Sequence, residues 1–336
     1  MTESMNTSGT STADAGASVS LSRLQNFPVS FFSIIMGLSG FTIAWEKVAH
    51  LLKTHIGFES YFAWGTLGIF VLLSLIYLTK IFRYPKAVMA ELKHPVKLSF
   101  FPAFSIALLL LAIAMIPQSE SLAEGLWIAG TAIHLVLFLY VVNSWMHHEH
   151  YQPQHISPAW FIPAVGNVLV PIAGMHFGYV EISWFFFSIG IMFWIILFTI
   201  FFNRILFHNP LPMHLVPTFF ILIAPPAVGF VSYIKLNGGL DNFAHILYYI
   251  GLFLTLLLFS QFKKFFSLPF FLSWWAYSFP IAAITIASLV MYQLHQEVIY
   301  AYIGGFLLSV LTVIIGLLIF KTIMAIFYKK VCIETD

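Results

Sequence analysis

The chain has 336 residues; 60% are hydrophobic, 8% are charged, and the formal net charge is +2. Soluble domains carry about 25% charged residues, so this composition excludes a water-facing fold and turns most of the exterior toward lipid. The lone cysteine, Cys332, excludes an intramolecular disulfide and any CxxC redox or metal motif.

In chain order, residues 1–26 come first, rich in Ser, Thr, Gly and Ala and without the basic and apolar regions of a secretory signal. They are expected to form a flexible cytoplasmic tail. Ten apolar stretches follow, near 28–48, 61–82, 98–116, 124–145, 160–175, 179–202, 216–235, 242–262, 271–293 and 297–327. Each is close to the length that crosses a hydrocarbon core. Lipid requires every backbone N–H and C=O to be bonded internally, and none of these stretches alternates in polarity, so all ten read as helices. The expected organisation is a transmembrane domain over 27–328 and a short cytoplasmic tail over 329–336.

Lys and Arg set the orientation. Of 15 such residues only Lys47, Lys53 and Lys235 fall in loops on one side; the rest, including Lys80, Arg83, Lys86, Lys93, Lys97, Lys263 and Lys264, fall on the other. The positive-inside rule places that basic side, and with it both termini, in the cytoplasm of an inner or plasma membrane.

The odd stretches share a pattern. An apolar or small residue precedes proline at Phe101-Pro102, Ile162-Pro163, Ala224-Pro225 and Phe279-Pro280, and the first stretch carries Gly37 and Gly40. Proline frees a backbone carbonyl and kinks a helix, and freed carbonyls are tolerated only against protein or a wet cavity. The smoother even stretches are suited to lipid. The expected architecture is an all-α membrane protein of five helical hairpins, with kinked odd helices around a central pore. Candidate lining residues are Ser33, Gly37, Phe101, Pro102, Ser105, Pro163, Asn167, Pro225 and Pro280. Hydroxyls and an amide along these helices are suited to donating weakly to an anion in transit.

No stretch carries Asp, Glu, Lys or Arg in its middle. Ion-coupled transporters place ionisable groups at depth, so passive movement is favoured. His134, and the run His147, His148 and His150, are candidates for pH sensing. No nucleotide, metal or nucleophile motif is present, so no catalytic residue, cofactor, metal ligand or nucleic-acid partner is assigned.

The segment Trp274-Trp275-Ala276-Tyr277-Ser278-Phe279-Pro280 resembles a signature of the tellurite-resistance/C4-dicarboxylate transporter family, which includes the slow-type anion channels. His94-Pro95-Val96-Lys97, Phe161-Ile162-Pro163-Ala164-Val165 and Ala224-Pro225-Pro226-Ala227 are similar to further family segments in matching order. The resemblance implies ten helices, odd ones lining a pore, a homotrimer with one pore per subunit, and passage of small anions such as chloride or nitrate. It also implies an aromatic gate at Phe279. A secondary carrier for C4-dicarboxylates, or for oxyanions such as tellurite, is the alternative. One departure stands out: Ser33 occupies a position where the family pattern has glycine.

Overall fold

A computed structural model describes residues 23–54, 57–147, 151–329 and 331–332. Within them, every regular element is a helix. Among the described residues, nine helices are long and apolar enough to cross a membrane. They are α1 (Val29–Leu51), α2 (Phe58–Arg83), α3 (Lys97–Met115), α4 (Glu120–His147) and α6 (Val180–Phe207), then α7 (Met213–Asn237), α8 (Asn242–Phe259), α9 (Leu272–His295) and α10 (Val298–Phe327). A shorter apolar helix, α5 (Pro158–Gly174), occupies the place of the fifth expected span. Of the expected N-terminal tail, only the turn Arg23–Asn26 is among the described residues.

The helices sort into two layers. In α1, α3, α7 and α9, 72%, 83%, 83% and 89% of the most apolar window is buried. In α2, α4, α6, α8 and α10 the share is 28–39%. Every residue of α5 except Ile172 is buried. The inner five close on themselves: α1 packs on α3, α3 on α5, α5 on α7, α7 on α9, and α9 on α1. Each outer helix packs on its hairpin partner and also leans on the next inner helix, as α4 does on α5 and α6 on α7. Large apolar side chains such as Leu72, Phe253, Val313 and Phe320 point outward from the outer layer. In water so broad an apolar surface would be prohibitive; against acyl chains it is the ordinary exterior of an all-α membrane protein.

The inner helices change type along their length. Each opens with a 3-10 segment: Val29–Phe31, Lys97–Phe100, Pro158–Trp160, Met213–Ile223 and Leu272–Tyr277. The α-helical part then begins at Phe32, Pro102, Phe161, Ala224 and Ser278. Pro102, Pro163, Pro225 and Pro280 thus lie in the first turn of an α-helix, where a missing N–H costs nothing because that donor has no intrahelical partner. The break expected from these prolines is therefore a switch from 3-10 to α geometry, not a kink within a continuous α-helix. Within the α-helical parts, Pro171 in α5 is a true interior proline.

Candidate functional site

The inner ring is drawn together where side chains are smallest. On α1, Gly37 faces Ser278 and Trp275, and a Cβ there would collide with the Ser278 hydroxyl. One turn on, a Cβ at Gly40 would sit 2.9 Å from the Ala282 methyl and 3.4 Å from Cδ2 of Phe279. The two glycines let α9 lie directly on the backbone of α1. They also leave room for the Phe279 ring, which packs beside Gly40 and is 6% exposed, at the start of the α-helical part of α9. Ser278 and Pro280 on either side are buried as well.

A second contact joins α3, α4 and α5. His134, on the outer helix α4, is wholly buried and turned inward. Its Nε2 lies 3.0 Å from the Pro163 carbonyl oxygen and its Nδ1 lies 2.9 Å from Ser105 Oγ. A carbonyl only accepts, so Nε2 carries a hydrogen and donates. The Ser105 hydroxyl also lies 2.9 Å from the Pro102 carbonyl oxygen, and the Asn167 amide donates to the Pro163 carbonyl at 2.9 Å. Five residues singled out as separate positions, Pro102, Ser105, His134, Pro163 and Asn167, thus form one hydrogen-bonded unit. Gly166 supplies the slot for the imidazole, since a Cβ there would overlap the His134 ring.

The other hydroxyls are largely occupied by their own helices. Ser33 donates to the Ser30 carbonyl, Thr42 to Leu38, Thr218 to Leu215, Ser278 to Trp275, Thr285 to Ile281 and Ser288 to Ile284. Two buried polar atoms in mid-helix positions of the inner ring lack a partner, the Ser39 hydroxyl and the Asn167 amide oxygen. Carbonyls around the Pro171 interruption are met by neighbours: Trp127 Nε1 donates to the Val170 carbonyl at 2.9 Å and the Ser232 hydroxyl donates to that of Val168.

The remaining candidates lie elsewhere. The Phe101 ring meets Tyr77 of α2 edge-on, with centroids 6.4 Å apart. Pro225 is buried in the first turn of the α-helical part of α7. His147 is exposed at the end of α4, its Nδ1 3.0 Å from the Asn143 carbonyl. His148 and His150 lie outside the described residues.

Residues 26–323 match the model of the family described as voltage-dependent anion channel, SLAC1. The chain belongs to that family. It is 30% identical over 277 residues to the S-type anion channel SLAH2 of Arabidopsis thaliana, covering 79% of this chain and 53% of that protein. It is 29% identical over 311 residues to the uncharacterized transporter MJ0762 of Methanocaldococcus jannaschii, covering 84% and 90%. It is also 26% identical over 303 residues to a tellurite resistance protein TehA homolog of Haemophilus influenzae, covering 88% and 90%. The chain spans about half the length of the plant relatives SLAH2 and SLAH3.

Beside the ring, this family member holds a buried polar cluster that hydropathy does not single out. Lys80, in the last turn of α2, is fully buried. It donates to the Phe27 carbonyl and to Glu91, each at 2.7 Å, and Tyr77 donates to the other Glu91 oxygen at 2.9 Å. Glu91 sits on the nine-residue helix Pro85–Lys93, which folds back under α2. The signal available in sequence was the single carboxylate in an otherwise basic segment, eleven residues beyond Lys80.

Proposed function

We propose that the chain conducts small anions, chloride and nitrate among them, passively through the axis of the five inner helices, with the Phe279 ring as the gate. The observation that carries this reading is the position of Phe279. It lies at the 3-10-to-α switch of α9, packed beside Gly40, on one helix of a closed inner ring that has no charged side chain in mid-helix. An uncharged path with few free donors binds an anion too weakly to trap it, the condition for rapid exit. The excess of Lys and Arg at one end of the bundle raises local anion concentration there, and the positive-inside rule makes that end cytoplasmic. The names of the plant relatives, S-type anion channels, agree with this substrate class. The assembly that accompanies the reading is a homotrimer with one path per subunit.

The test is a planar-bilayer recording of the purified chain in asymmetric chloride and in nitrate. Unitary current steps reversing near the anion equilibrium potential are the expected result. Saturable, proton-dependent uptake of a C4-dicarboxylate or of tellurite into vesicles, without unitary steps, would replace the channel with a carrier. That second reading draws on the name of the Haemophilus influenzae relative.

A further inference from the structure

At the end of the bundle opposite the basic loops, two histidines from different helices face each other. His245 lies in the first turn of α8, a helix started by Asp241, whose side chain accepts from the Ala244 N–H at 2.9 Å. His295 is the last residue of α9, which ends where Gln296 adopts a left-handed conformation at φ 59°. That turn swings Glu297 back toward His295. The two Nε2 atoms are 3.4 Å apart and the rings are inclined by 80°.

The hydrogen position on His245 follows from the partner of its other nitrogen. His245 Nδ1 lies 2.8 Å from the Asp241 carbonyl oxygen, which can only accept, so Nδ1 carries the hydrogen. His295 Nδ1 has the Glu297 carboxylate at 3.5 Å, an ion-pair contact rather than a hydrogen bond, while its Nε2 is within hydrogen-bond reach of His245 Nε2. The His245 Nε2 lone pair therefore points at His295 Nε2, which either donates its own hydrogen across the 3.4 Å gap or, with the hydrogen on Nδ1 beside Glu297, turns a second lone pair into the same space, where a metal ion can take the hydrogen's place. This is the pattern of metal-bound histidines, in which the second nitrogen donates to a carbonyl or carboxylate that fixes the tautomer.

The distance also fits a tetrahedral metal ion. Zinc–imidazole bonds are about 2.0–2.1 Å. A metal at that distance from both atoms, given their 3.4 Å separation, subtends an angle of about 110°, close to tetrahedral. The surroundings suit a cation. Asp241 and Glu297 bracket the pair, and the Tyr249 and Tyr300 hydroxyls, 2.8 Å apart, brace it from α8 and α10.

We propose that His245 and His295 form a two-histidine site for a divalent transition metal, with Zn2+ as the reference ion and two positions left for water or a small anion. Among the described residues no group of three or more His, Cys, Asp or Glu converges for a metal, so the affinity is that of an open, partly hydrated site. Ni2+ and Cu2+ compete for it as imidazole-binding ions of similar preference. An occupied site staples the outer helix α8 to the inner helix α9.

The test is calorimetric titration of the purified, tag-free chain in detergent with zinc chloride. One Zn2+ per chain is expected, with affinity falling at least about tenfold in His245→Asn and in His295→Gln, and roughly tenfold in Glu297→Gln, where only the orienting partner is lost. The control His176→Ala, at a histidine paired with Glu120 at the same end, is expected to leave binding unchanged. Zn2+ is also expected to raise the unfolding temperature of the parent chain and of His176→Ala, but not of the two ligand variants. Absence of Zn2+ binding to the parent chain, or an affinity unchanged by either ligand substitution, overturns the assignment.

Discussion

Helices α9 and α10 belong to one hairpin and share little else. α9 carries Ser278, Pro280, Thr285 and Ser288 and is 89% buried over its most apolar window; α10 is the greasier of the two and only 33% buried. In water the more apolar helix would be the inner one. In lipid the order reverses, because acyl chains are as apolar as leucine and helices associate through close packing and hydrogen bonds instead. Hydropathy alone does not sort the layers, however. α3 is more apolar than α4 and is still the inner partner. Four of the five inner helices carry proline at the 3-10-to-α switch, and the fifth, α1, carries small residues at its contact, Gly37 and Gly40.

The largest effect expected from disturbing this two-layer arrangement is at the fastening of α2 to the start of α1. Glu91→Gln leaves the Lys80 ammonium buried without its carboxylate, and breaking a buried pair in this way costs roughly 3–5 kcal/mol. Thermal unfolding in detergent should show a large fall in midpoint, with part of it recovered in Lys80→Met/Glu91→Gln. A midpoint within error of the parent would mean that the cluster holds nothing together.

The inner and outer layers can be set against each other by making the same glycine-to-alanine change in each. Gly166→Ala drives a methyl into the His134 ring and should cost about 1–3 kcal/mol through overpacking. Gly316→Ala on α10 meets open space and should be neutral or stabilising by up to about 1 kcal/mol, the helix-propensity difference. Equal effects on the unfolding midpoint would break the comparison. A smaller loss, about 1 kcal/mol, is expected for Ser105→Ala, which removes a single hydrogen-bonding hydroxyl from the unit around His134.

The smallest effect is a pH dependence outside the bundle. Burial, then the Lys97 ammonium and His155, hold the His94 pKa below the ordinary histidine value. The unfolded chain therefore takes up the proton first as pH falls, so this contribution to stability is present at neutral pH and lost on acidification below about 6.5. His94→Gln should flatten the slope of unfolding midpoint against pH over that range. An unchanged slope would assign the acid sensitivity to other groups.

Most of the architecture was legible in the sequence because lipid makes helix length and composition decisive. The boundaries of the expected spans agree with the helices to within a few residues, and the proline-bearing stretches mark the inner ring. Less legible were features that depend on distant residues meeting. The turn of His134 inward from an outer helix depends on the space left at Gly166. The burial of Lys80 depends on the helix Pro85–Lys93 folding back beneath it. Hydroxyls expected to be free for an anion instead bond to carbonyls three or four residues back, a local choice that hydropathy does not encode.

The measurement that bears most directly on the inner ring as an anion path is the chloride current of Phe279→Ala in planar bilayers, set beside Phe253→Ala on the exposed face of α8. A current clearly larger than the parent's is expected for Phe279→Ala, and a parental current for Phe253→Ala. A Phe279→Ala protein that folds normally and conducts no more than the parent would contradict it.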